Sequence, residues 1–260
     1  MFKNRILSSK SFFAIMAICI LVLPFQISCE SKSLSEITED ISYRTVQIVF
    51  VQTDGEETKG ITSIGTGFLL NNSGGVVTSN RIIEAGDQCI RENESGKMAV
   101  VIPAPAIASG NQYSGWVATN DFDIIARDKE NSLVLLKIKM GTVISPFNGK
   151  KLKEVHYHNH VSGTLNVGDA HFTGSVSQGA PIAITGYTSN EFTTETITGE
   201  VTSKEASGIY ITDITLSSDL IGSPVYSANN GKIIGMCDID SSGKITIIPA
   251  GFIEKLMYKN

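Results

Sequence analysis

A hydrolytic nucleophile needs a base beside it, and this chain of 260 residues has four histidines: His156, His158, His160 and His171. All four fall in one stretch near the middle of the chain. Three stand at alternate positions of residues 155–160 (VHYHNH), so an extended backbone would turn them to one face. Imidazoles so placed could take Zn²⁺ with a fourth ligand from elsewhere. The flanking Lys150, Lys151 and Lys153 favour an exposed polar linker instead, so no metal or other cofactor is expected. The serines that could act as nucleophiles lie far away. Ser217, Ser218 and Ser223 sit in residues 215–224 (TLSSDLIGSP), beside Asp219. Asp128 is an acid that could assist a displaced site. These serines read as ordinary loop residues.

The cysteines depend on the compartment. Residues 1–10 carry Lys3, Arg5 and Lys10 and no acid, and residues 11–23 (SFFAIMAICILVL) are almost all apolar. That run is shorter than the roughly 20 residues a membrane span needs. A basic start followed by a short apolar run is the pattern of a secretory signal, expected over residues 1–28. Ser28 then precedes Cys29. This junction resembles a bacterial lipoprotein signal, which implies acylation of Cys29 and a membrane anchor. Gln26 departs from the usual Leu of that pattern. Cys19 would leave with the signal. Cys89 and Cys237 would remain where disulfides are permitted, either bridged or as two separate thiols. Without residues 1–28 the chain keeps 18 basic against 26 acidic residues, a net charge of −8. Such an acidic chain is a poor partner for nucleic acid.

The elements that would position any site are short. Charged residues make up 18% of the chain and Gly numbers 24, which excludes a highly charged disordered polymer. Residues 30–42 read as a tether and a short helix, with a weak stripe through Leu34, Ile37 and Ile41. Beyond it come apolar runs rich in Val, Ile and Thr, bounded by Gly, Asn, Asp and Ser. Residues 45–52, 65–70, 76–79, 98–102, 123–127 and 133–139 form one group. Residues 181–185, 194–201, 209–216, 224–227, 232–237 and 244–248 form a second. Helical spacing recurs only around residues 81–84 and 250–257. Short strands without βαβ alternation predict an all-β fold of two six-stranded antiparallel β-barrels and a short C-terminal helix. The expected divisions are 1–28 signal, 29–42 tether and helix, 43–145 first barrel, 146–172 linker, and 173–260 second barrel with the terminal helix.

A resemblance sharpens this. Residues 63–86 (SIGTGFLLNNSGGVVTSNRIIEAG) resemble the first-barrel signature of trypsin-like peptidases of the HtrA (Deg) type. Residues 128–139 (DKENSLVLLKIK) are similar to the next block of that family, 174–186 (GSVSQGAPIAITG) to the start of its second barrel, and 211–235 to its nucleophile block. Residues 248–253 (IPAGFI) match its ending. The blocks come in family order and imply the trypsin-like fold.

The same resemblance implies that the chemistry is gone. In that family a His takes the proton of a Ser hydroxyl while an Asp orients the His. The position of the His is held by Arg81, which stays protonated and cannot act as a base. The position of the Asp is held by Ser132, and that of the nucleophile, three residues before Pro224, by Ile221. Asp219 stands at the oxyanion position, where a carboxylate opposes the developing charge. The expectation is therefore no catalytic residue at all: a catalytically inactive, trypsin-like lipoprotein in the bacterial cell envelope, exported across the inner membrane, that binds a protein or peptide through its vacant cleft. Two other readings compete with it. One is an active serine peptidase whose nucleophile has moved to Ser218 or Ser223. The other is a surface adhesin that binds host or matrix proteins.

Overall fold

The Ser33 hydroxyl accepts from the Glu36 main-chain N–H (3.3 Å), and the Glu36 carboxylate accepts from the Ser33 N–H (2.7 Å). This reciprocal cap satisfies two of the free donors at a helix start and opens α1 (Leu34–Arg44). Ile37 and Ile41 lie one turn apart, so one face of α1 is apolar and buried. The stripe expected from the sequence is thus a real helix of three turns. The computed structural model describes residues 32–54, 57–93, 95–103, 106, 116–139, 144–147, 165–188, 192–215, 220–240 and 242–258. All of these belong to the unit Lys32–Asn260.

The chain then builds a first sheet from β1 (Thr45–Asp54), β2 (Glu57–Leu69), β3 (Gly75–Ser79), β4 (Gly96–Pro103), β5 (Trp116–Thr119), β6 (Phe122–Asp128), β7 (Leu133–Ile138) and β8 (Ile144–Phe147). Its order is β6-β7-β3-β2-β1-β4-β5-β8. Helix α2 (Asn80–Glu92) leaves directly from β3. The second sheet uses β9 (Pro181–Tyr187), β10 (Thr194–Lys204), β11 (Tyr210–Thr212), β12 (Pro224–Ser227), β13 (Ile233–Ile239) and β14 (Ile245–Pro249), and closes on itself as a six-stranded barrel. Helix α3 (Ala250–Tyr258) ends the described chain. Every pair of neighbouring strands is antiparallel.

The all-β, two-sheet architecture and the C-terminal helix are as the sequence predicts. The first sheet differs in strand count. β5 and β8 pair with each other, Trp116 opposite Phe147, and extend the sheet past β4. The result is a curled eight-stranded sheet beside a closed six-stranded one. α2 also runs far beyond the expected residues 81–84. Gly86 interrupts its apolar pattern, but the glycine is there because Met98 and Ile64 pack where a side chain would stand.

Four apolar clusters hold the fold, the smallest being Val49, Val51, Ala99, Val101 and Ala118 of the first sheet. One fills the first sheet with Val46, Ile48, Leu69, Val76, Val100 and Leu136. Another fills the closed barrel with Ile182, Ile184, Val201, Val225, Ile234 and Ile247. A third joins the sheets: Phe68, Val77, Leu133 and Leu135 of the first meet Tyr226, Met236 and Ile248 of the second, under Ile37 of α1 and Ile253 of α3. Each such side chain contributes about 1.5–3 kcal/mol through burial. The contact between sheets is therefore core and not a soft hinge. Cys89 and Cys237 are both free thiols. Cys237 is fully buried, and that burial pushes its thiol pKa up, so it packs as a small apolar residue.

Candidate functional site

β3 ends where α2 begins, and that junction sets the site. Ser79 is the N-cap of α2, its hydroxyl accepting from the Arg81 N–H (3.2 Å). Arg81 lies in the first turn of the helix with its side chain about half exposed, at 48%. Ser132 sits in the turn between β6 and β7 with a positive φ of 54°. Its carbonyl accepts from the Asn80 N–H (2.9 Å), and its hydroxyl lies 3.1 Å from that of Ser79. Arg81 of α2 and Ser132 of the β6–β7 turn, both singled out in the sequence, are thus brought together through Ser79 and Asn80.

What joins them is a residue that the sequence reading passed over. Asp238, on β13 of the closed barrel, has a side chain only 3% exposed. Its Oδ1 stands 3.5 Å from Arg81 Nε and 3.5 Å from the Ser79 hydroxyl. Burial raises its pKa above the ordinary carboxylate range. A hydrogen bond from Ser132 opposes the rise most strongly. The Ile239 main chain, the Arg81 charge and Ser79 oppose it further. The cluster thus pairs a buried carboxylate of the closed barrel with a half-exposed guanidinium at the start of α2. The residues 235–240 (GMCDID) gave little signal of this, because an acid at the end of a strand usually faces water.

Ile221 lies in the turn before β12. Its carbonyl accepts from the Thr66 N–H of β2 (3.1 Å), which docks the turn onto the first sheet. Its half-buried side chain packs on the first-sheet cluster. Gly222 follows with φ of 84°, and a Cβ there would collide with the Thr66 carbonyl and crowd Ile82 and Thr78. This is a left-handed position in a close approach of two backbones, where only Gly fits without strain.

The remaining expected residues divide cleanly. Ser223 is fully buried and packed against Gly186 and Leu220, and its hydroxyl has no hydrogen-bond partner among the described residues. Asp128 caps its own turn, with one oxygen accepting from the Asn131 N–H (3.1 Å) and the other from the Asn131 amide (2.7 Å). His171 offers its carbonyl to the Ile233 N–H (2.7 Å). Cys19, Cys29, His156, His158, His160, Ser217, Ser218 and Asp219 lie outside the described residues. Among the described residues no cluster of His, Cys, Asp and Glu could hold a metal ion.

The site sits where two antiparallel sheets meet, one closed into six strands, with the turn before β12 pinned to the first sheet by Thr66. That is the fold of a trypsin-like serine protease domain. Among solved structures it is similar to the crystal structure of Deg5, at 16% identity, covering 85% of this chain and 90% of that one with a TM-score of 0.57. It is also similar to the MamO protease domain from Magnetospirillum magneticum in its apo form, at 13% identity, 83% and 96% coverage, and a TM-score of 0.52. No protein-family model matches the chain, and no curated protein matches it in sequence. Identities this low carry the fold and leave the activity open.

Proposed function

We propose that this chain is a catalytically inactive trypsin-like lipoprotein, anchored through Cys29 in a bacterial cell envelope, that binds a protein or peptide in the cleft its fold retains. The observation that carries the reading is the pair Ile221 and Arg81. An isoleucine fills the turn where a hydroxyl nucleophile belongs, and a permanently protonated guanidinium takes the place of the base. Asp238 is spent on Arg81, Ser132 and Ser79. Ser79 is fully buried and unable to reach a substrate. The burial of Ser223 counts against a relocated nucleophile there, and the one described histidine, His171, lines a cavity beside α1 that contains neither Ser223 nor Ile221.

A fluorophosphonate probe tests it. The full chain should take no label and should not cleave casein above a heat-killed control. Ile221→Ser should also stay unlabelled, because Arg81 cannot receive the serine proton. Stoichiometric labelling of the wild type at Ser218 or Ser223 would replace this reading with an active peptidase.

A further inference from the structure

Arg44, the last residue of α1, is half-buried. Its guanidinium gives two N–H groups to main-chain carbonyls, those of Leu69 (3.3 Å) and Val167 (2.8 Å). Three of its five donors have no partner among the described residues. No carboxylate among those residues lies within ion-pair distance of it. Asp40, an acid near it, is held by Lys32. Burial accordingly pushes the Arg44 pKa down. The charges of Asp40 and Asp169 offset that burial only in part, and a partly desolvated cation with spare donors favours an anion that completes it.

Arg44 lines a cavity of about 220 Å³ between α1 and the turn that joins β12 to β13. The floor is apolar, made of Ile37, Ile41 and Ile233. The rim carries Lys32, paired with Asp40, together with Arg44, Lys232 and His171. Arg44 and Lys232 leave a local excess of positive charge on an acidic chain. None of these residues belongs to the Arg81–Asp238 cluster, so the cavity stands apart from the cleft. The shape also sets the ligand. A phosphate would meet the cations and waste the isoleucine floor, and an ammonium would be repelled by the rim. A volume of this size holds about seven water-sized atoms.

The geometry points to a binding site for a small aliphatic carboxylate, with the tail on Ile37, Ile41 and Ile233 and the carboxylate on Arg44 and Lys232. A free short-chain acid and the C-terminal apolar residue of a peptide share this chemistry. Isoleucine-methyl NMR of the full chain tests it with three probes: hexanoate, N-acetyl-leucine and neutral hexanamide. At least one carboxylate should move the methyls of Ile37, Ile41 and Ile233 saturably and leave those of Ile124 and Ile125 unmoved. Hexanamide should bind at least tenfold more weakly, as should hexanoate to Arg44→Gln. Lys232→Ser should weaken binding several-fold. A preference for N-acetyl-leucine assigns the source to peptide termini, and a preference for hexanoate to free acids. Equal binding of hexanoate and hexanamide by the wild type would overturn the proposal, as would still methyls with both carboxylates. That comparison needs no variant to fold. It is also independent of the fluorophosphonate result, which reports on the cleft alone.

Discussion

A carboxylate buried as deeply as that of Asp238 depends on its neighbours for its charge. Desolvation outweighs the hydrogen bonds from Ser132, Ile239 and Ser79 and the charge of Arg81, so the proton is held more tightly in the folded chain than in the unfolded one. Stability from this group is therefore fully present below the ordinary aspartate pKa and is lost as pH rises through the folded value. Asp238→Asn removes that dependence. Urea melts from about pH 3 to pH 7 should show the variant gaining on the wild type as pH rises above about 4. A stability difference that stays constant, or moves the other way, would mean that the carboxylate is not desolvated. At this scale the sequence was legible by subtraction. Arg81 and Ile221 stand out because they cannot do the chemistry expected of their positions. Asp238 was hidden because its partners lie on the other sheet, some 100 residues or more earlier in the chain, and no local spacing encodes that meeting.

The turn before β12 shows what an element demands of one residue. Gly222 adopts φ of 84° while its Cα faces the Thr66 carbonyl of β2. Gly222→Ala should cost about 1–2 kcal/mol for the left-handed backbone alone, and more once the Thr66 carbonyl is displaced. Chemical denaturation should thus show a loss above about 2 kcal/mol. A loss under about 1 kcal/mol would mean that the turn is not docked on the first sheet. Most strands could be read from apolar runs closed by turn residues, because strands buried on both faces, such as β3, β7 and β13, are near-continuous runs of apolar and small residues. β5 and β8 escaped. β8 carries Pro146, which argues against a strand away from a sheet edge, and the short β5 pairs with it there. β11 is shorter than its apolar run, keeping only Tyr210–Thr212, because Asp213 turns to accept from the Glu200 N–H (2.8 Å).

Over the whole molecule, the two groups of short strands pointed to the two-sheet architecture in advance. The meeting of the sheets was not legible, since it rests on packing between distant segments. The proposed anchor is tested at this scale too. A clickable fatty acid fed to cells making the full chain should label the wild type and not Cys29→Ala. Equal labelling of both would remove the lipoprotein reading. Among the described residues no helix is long and apolar enough to cross a membrane. The placing of α1 has a mechanical consequence. It joins the two halves from outside: Thr38 meets the Tyr226 hydroxyl of the closed barrel (3.2 Å), while Arg44 holds the Leu69 carbonyl of the first sheet (3.3 Å). Tension applied at the N-terminus therefore arrives first at a clasp gripping both sheets. Behind it lies β1, an inner strand hydrogen-bonded on both sides. Once α1 is torn away, the pull falls on that inner strand, so the first sheet should break before the closed barrel does.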